Sequence, residues 1–131
     1  MKLSSKARYG LKAMCYLANN YEIGTKSLPT MAADLDISEK YLEQLLGVLR
    51  KSTLVDATRG ASGGYVLAKN PYDISIGEIL RVLEDGLVIV DCLQGGCSNQ
   101  CNCSTYDVWK KLYKEINSFL DTMSLGSIVE K

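Results

Sequence analysis

The chain has 131 residues, with 15 Lys/Arg and 15 Asp/Glu giving a formal net charge of zero, and 47% of it is hydrophobic against 23% charged. These are ordinary proportions for a globular protein of one domain, with or without an appended dimerisation element, and such a core needs no disulfides. No apolar run approaches the roughly 18 residues that a membrane span requires, and Met1-Lys2-Leu3-Ser4-Ser5-Lys6 has no signal-peptide core, so a cytoplasmic location is expected.

Ala7, Leu11, Met14, Cys15 and Ala18 recur at helical spacing and predict an amphipathic helix from about Ser5 to Asn20. Gly24 and Pro29 punctuate the stretch after it. Thr30 to Leu35 is expected to be a short second helix with Met31, Ala32 and Leu35 inward. Asp36-Ile37-Ser38 makes a turn, and Ser38 suits the cap of a third helix from about Glu39 to Lys51. Leu42, Leu45, Leu46 and Leu49 form the apolar stripe of that helix, which leaves Lys40, Tyr41, Glu43, Gln44 and Arg50 for other faces. Two short helices joined by a tight turn have the pattern of a helix-turn-helix. Leu54–Thr58, the run Arg59-Gly60-Ala61-Ser62-Gly63-Gly64, and Tyr65–Ala68 then read as strand, glycine-rich turn and strand. A hairpin directly after a helix-turn-helix makes a winged helix. The glycine run argues only weakly for a nucleotide site, because no helix and no Gly-Lys-Ser/Thr come after it.

Ser75-Ile76-Gly77-Glu78 is a capping box that should open another helix, with Ile79, Leu80 and Leu83 inward. A loop containing four cysteines comes next, and Ser104–Asp107 offers a second capping signature. From there to about Met123 the residues Val108, Leu112, Ile116, Phe119/Leu120 and Met123 form a long apolar stripe. Such a helix either pairs with its counterpart in a second chain or packs on its own domain. Pairing is the expectation, because helix-turn-helix proteins commonly read two half-sites as dimers. The predicted fold class is mainly α: a winged helix-turn-helix with a small β-hairpin wing and a long C-terminal dimerisation helix. Residues 1–84 form the DNA-binding domain, 85–104 the cysteine loop, and 105–131 the dimerisation helix and C-terminal segment.

The zero net charge hides an asymmetry. Residues 1–69 carry ten Lys/Arg against six Asp/Glu, and residues 70–131 carry five against nine. The basic half is where a nucleic-acid surface is sought. The chain has five cysteines and no histidine, and Cys92, Cys97, Cys101 and Cys103 fall within twelve residues. In a reducing compartment such a cluster reads as metal-binding or redox-active. Cys15, on the apolar face of the first helix, is expected to be a buried core thiol.

Several segments taken together carry a resemblance. They are Lys2-Leu3-Ser4-Ser5-Lys6-Ala7-Arg8-Tyr9, Ile37-Ser38-Glu39-Lys40-Tyr41-Leu42-Glu43-Gln44-Leu45, Leu49-Arg50-Lys51, Arg59-Gly60-Ala61-Ser62-Gly63-Gly64-Tyr65 and Ser75-Ile76-Gly77-Glu78-Ile79, with the cysteine loop before Trp109. In this order they resemble the family of winged-helix regulators that includes the iron–sulfur regulator IscR, the nitric-oxide sensor NsrR and the cysteine-metabolism repressor CymR. The pattern is nearest to IscR, and the likeness covers essentially the whole chain. The resemblance implies a homodimer on palindromic operator DNA. It also implies a cluster held by three cysteines and a histidine three residues after the last of them. Cys92, Cys97 and Cys103 fit the cysteines. The histidine position is Tyr106, and Cys101 is extra, which leaves the cluster type and the fourth ligand open.

In this reading the third helix lies in the major groove, where each base pair presents a distinguishable pattern. Ser38 and Tyr41 can hold phosphate or base edges, and Gln44 can bond bidentately to adenine. Glu43 either accepts from a cytosine amino group or pairs in solvent with Lys40 or Arg50. Arg59 can enter a narrow minor groove. Gly60, Ser62, Gly63 and Gly64 belong to the same turn, where the glycines would let backbone approach phosphate. Lys6 and Arg8 can anchor the first helix to phosphate. Thiolates suit iron–sulfur iron and zinc alike, but zinc favours closely paired Cys-x2–4-Cys knuckles, which this spacing only partly supplies. The resemblance favours an iron–sulfur cluster, [2Fe–2S] on four cysteines being the first choice, with a [4Fe–4S] cluster using a ligand from the partner chain, zinc, or no metal as alternatives.

The expected function is that of a homodimeric regulator whose binding to double-stranded operator DNA is modulated by the cluster. The alternatives are a regulator sensing thiol or metal state without a cluster, and a small iron–sulfur electron carrier or cluster-transfer protein. No enzymatic activity, small-molecule substrate or membrane partner is expected: there is no histidine base, and no pair of carboxylates is marked out.

Overall fold

Ser4 Oγ accepts from the Ala7 N–H at 3.2 Å and so caps α1 (Ser5–Asn19). A computed structural model of the chain describes residues 3–61, 63–84, 87, 93 and 104–129. The buried edge of α1 is Ala7, Gly10, Ala13, Met14, Leu17 and Ala18. Small residues let other helices come close on this side: a Cβ added at Gly10 would stand 2.5 Å from Leu83 Cδ1. Ala7, Met14 and Ala18 are buried as predicted, but the core extends from them toward Gly10, Ala13 and Leu17 and not toward Leu11 and Cys15. Leu11 and Cys15 sit at its margin, and Cys15 is half-buried rather than a fully buried core thiol. What burial it has pushes the Cys15 thiol pKa up.

Helix α2 (Leu28–Leu35) begins two residues before the predicted Thr30, because Ser27 caps it and Pro29 occupies its first turn. A proline there loses nothing, since that N–H has no partner inside a helix. Tyr16 donates to Asp34 Oδ2 at 2.6 Å and ties α1 to α2. Lost solvation, together with the hydrogen bond to Asp34 and its negative charge, pushes the phenol pKa up to about 12. Asp36, with φ 55°, ends α2 in the left-handed conformation. Helix α3 (Glu39–Lys51) has the predicted limits, and Leu42, Leu45, Leu46 and Leu49 are all buried.

The hairpin leaves from the C-terminal end of α3, where the Leu54 N–H donates to the Leu49 carbonyl at 3.0 Å. Strands β1 (Val55–Thr58) and β2 (Gly64–Leu67) pair antiparallel, with Val55 opposite Leu67 and Thr58 opposite Gly64. A third segment, which no sequence signal marks, adds to the edge of β2. Lys26 and Tyr65 exchange two backbone hydrogen bonds, of 3.0 and 2.8 Å. Gly64 allows this approach, because a Cβ there would overlap the Lys26 carbonyl and stand 2.9 Å from Ser27 N. The glycine is thus required inside the molecule, whatever it does toward phosphate. Gly64→Ala is expected to cost about 1–3 kcal/mol, as overpacking generally does, seen as a lower midpoint in urea unfolding. An unchanged midpoint would show that the Lys26 bridge contributes nothing.

After a one-turn 3₁₀ helix (Pro71–Asp73) comes α4 (Ile76–Leu83), capped by Ser75, whose Oγ accepts from the Glu78 N–H at 3.0 Å. Only this half of the capping box forms, because the Glu78 carboxylate bonds Lys69 Nζ at 3.1 Å. Helix α5 (Tyr106–Thr122) has Thr105 at its cap position without a side-chain capping bond, so the second predicted signature is not used. No residue of α5 is buried. Val108 is 55%, Leu112 43% and Phe119 63% exposed, whereas Leu120 and Met123 pack against the core. Part of the predicted stripe therefore packs on its own domain, while Val108, Leu112 and Phe119 are left exposed. The last helix, α6 (Leu125–Val129), returns to the body, with Leu125 fully buried and Gly126 flat against the Tyr72 ring.

Candidate nucleic-acid interface

Helix α3 divides cleanly between its two sides. With the leucines buried, Ser38, Lys40, Glu43, Gln44 and Arg50 are all exposed. Ser38 Oγ accepts from the Tyr41 N–H at 3.1 Å as the helix cap, which leaves its own O–H free to donate. Arg50 lies in the last turn, about 17 Å along the axis from Glu39, so it belongs to the flank of any groove contact. Among the described residues Glu43 forms no ion pair with Lys40 or Arg50, and its carboxylate faces solvent.

Tyr41 is half-buried. Its ring meets Tyr9 of α1 edge-to-face, with centroids 6.0 Å apart and planes at 82°. This contact brings the basic start of α1 to the N-terminal end of α3. Arg8 Cζ stands 5.9 Å and Lys12 Nζ 5.3 Å from the Tyr9 ring centre, so two cations flank the ring that supports Tyr41. Lys6 is exposed one turn nearer the terminus. Sequence reasoning missed Lys12, although its spacing of four from Arg8 places both on one helix face.

In the wing, Arg59 and Gly60 are exposed at the turn, and Gly60 has φ 106°, a conformation that favours glycine. The Gly63 N–H closes the turn onto the Gly60 carbonyl at 3.0 Å. Gly63 is itself boxed in, since a Cβ would overlap the Thr58 carbonyl. Ser62 lies outside the described residues, as do Cys92, Cys97, Cys101 and Cys103. Among the described residues, no three His, Cys, Asp or Glu side chains gather where they could hold a metal, and no helix is long and apolar enough to cross a membrane.

Residues 3–131 match the Rrf2 family, described as iron-dependent transcriptional regulators. The chain belongs to the Rrf2 family. It is 37% identical over 130 residues to the HTH-type transcriptional regulator IscR of Escherichia coli O9:H4, covering 98% of this chain and 80% of that protein. The structure of T. potens IscR aligns with a TM-score of 0.81 at 42% identity, over 99% of this chain and 87% of that one. That of CymR, the global cysteine regulator of B. subtilis, aligns with a TM-score of 0.82 at 36% identity, over 99% and 97%. This Rrf2 protein is thus an IscR-like, DNA-binding winged-helix transcription regulator and not an enzyme. The electron-carrier alternative is set aside, since a carrier has no use for the helix-turn-helix and wing.

Proposed function

We propose that this protein is a homodimer that binds palindromic operator DNA through α3 and the wing, with an iron–sulfur cluster on its cysteine segment modulating that binding. The observation that carries the DNA half is α3 itself, wholly buried along its leucines and wholly exposed at Ser38, Lys40, Glu43 and Gln44. Placed in the major groove, Gln44 reads adenine and Glu43 accepts from a cytosine amino group while repelling other bases' acceptors. Ser38, Tyr41, Lys6, Arg8, Lys12 and Lys40 hold phosphates or base edges near the helix start. Arg50, Arg59, Gly60, Ser62, Gly63 and Gly64 serve the flanks.

The donor chemistry fits a cluster: four thiols lie within twelve residues, in a chain with no histidine. Cys92, Cys97 and Cys103 would hold it, with Cys101 the leading fourth ligand and Asp91, Tyr106 or a partner-chain group the alternatives. A bound cluster supplies a group sensitive to oxidation and to iron supply. In sequence that segment lies between α4 and α5. It begins beside Glu84, whose Oε1 accepts from the Ser4 N–H at 2.6 Å and from the Ser4 hydroxyl at the start of α1. It ends directly before Thr105, the cap position of α5. The equally good structural match to CymR supports a second reading, in which the same thiols act without a cluster. Iron and sulfide analysis after anaerobic purification separates the two.

The test of the DNA surface starts from an operator selected out of random duplexes, titrated by fluorescence anisotropy at several salt concentrations. Glu43→Ala should narrow the gap between operator and unrelated DNA while changing unrelated binding little. Arg59→Ala should weaken both and lower the salt slope by about one unit per lost phosphate contact. An unaltered preference in Glu43→Ala would remove that residue from readout. An unaltered slope in Arg59→Ala would remove the wing from the interface.

A further inference from the structure

Helix α5 joins the body at two described places. At its C-terminal end the chain enters a short antiparallel bridge between Ser75 and Ser124. There the Ile76 N–H donates to the Met123 carbonyl and the Leu125 N–H to the Ile74 carbonyl, both at 2.8 Å. Just before it, Arg81 of α4 reaches across. Its Nε donates to Asn117 Oδ1 at 3.2 Å, and its Nη2 pairs with Asp121 Oδ1. Asn117 is held in turn, its Nδ2 donating to the Tyr113 carbonyl at 2.9 Å.

Gly77 lies beneath this pair: a Cβ there would overlap Asp121 Oδ1 and stand 2.7 Å from Arg81 Nη2. The glycine thus leaves the room in which the Arg81–Asp121 pair sits. Asn117 and Asp121 are one turn apart on α5, and a planar guanidinium bonded to both restrains direction as well as distance.

The bridge at 123–125 settles where α5 ends, and the Arg81 contacts settle the direction it takes from there. We propose that Arg81, through Asn117 and Asp121, sets the angle between α5 and the DNA-binding body and so selects the half-site separation that the dimer reads. This rests on the dimer reading above. The lever is long: 17 residues of α5 span about 25 Å, and a tilt of about 10° at one end moves the other by about 4 Å. That exceeds the ~3.4 Å rise of one base pair, so a small change of angle is a change of register on DNA. The partly exposed pair adds little to stability, which separates its geometric role from a structural one.

The experiment uses the full chain with Arg81→Met, which keeps the apolar stem and removes the donors, and with Asp121→Asn, which keeps the shape. Each is titrated against duplexes whose two half-sites are moved apart one base pair at a time, and against a single half-site. Sedimentation runs in parallel. The wild type should prefer one separation, and Arg81→Met should reduce that preference by about fivefold or more, with dimerisation and single-half-site affinity within about twofold. Asp121→Asn should move the same way by less, and it decides alone if Arg81→Met does not fold. A dimeric variant with unchanged spacing preference overturns this inference and leaves the dimer reading standing. A parallel loss of single-half-site affinity assigns Arg81 to the fold and also overturns it. A monomeric wild type overturns both.

Discussion

Leu112→Glu together with Phe119→Glu is expected to turn the protein into a monomer at micromolar concentration and to weaken operator binding by about 100-fold or more. Val108, Leu112 and Phe119 lie on one side of α5 and are all exposed. Three large apolar side chains along one helix face are unusual on a monomer and fit a buried seam between two copies. Each chain carries one recognition helix, so a dimer turns the second half-site contact into an intramolecular event, and its loss removes that advantage whole. Because α5 has no buried residue, the body should keep its far-ultraviolet spectrum and its affinity for a single half-site. Ile116, half-buried, is a poorer position for the test, since a charge there disturbs packing within the chain as well. Sedimentation with anisotropy reads both effects. A dimer surviving both substitutions would place the interface elsewhere.

Cys92→Ala, Cys97→Ala and Cys103→Ala, made singly, are each expected to abolish the visible absorption, iron and sulfide of anaerobically purified protein. Each of these three thiols would hold the cluster, so replacing any one of them would remove a ligand that the cluster needs. Cys101→Ala distinguishes the donor sets. Loss there as well supports four thiolates, and retention assigns the fourth position to Asp91, Tyr106 or a partner-chain donor. DNA affinity should change in all cluster-free variants alike, because the segment starts beside the Ser4–Glu84 contact and runs up to the cap of α5. Zinc in place of iron under these conditions would overturn the cluster assignment, and free thiols with intact regulation would favour the reading without a cluster.

The sequence by itself determined the winged helix. The leucine stripe of α3, its Ser38 cap, the hairpin and the glycine turn are local features, and local spacing and capping chemistry specify them without reference to distant contacts. It also marked the exposed polar set on α3, because residues that leave an apolar stripe have only the other faces to occupy. Tertiary structure alone decided which side of α1 faces the core, since small Ala and Gly residues admit Leu83 and its neighbours where a count of large apolar residues had favoured Leu11 and Cys15. It alone joined Lys26 to the wing, Leu125 to the core and Arg81 to Asp121, the last pair being 40 residues apart. Backbone edges, burial and ion pairing at such distances depend on how elements dock, and no periodicity within one element encodes its docking partner. The same limit explains the division of the α5 stripe. One amphipathic pattern holds both residues that pack on the domain and residues left exposed, and only the packing of α4 against α5 showed which are which.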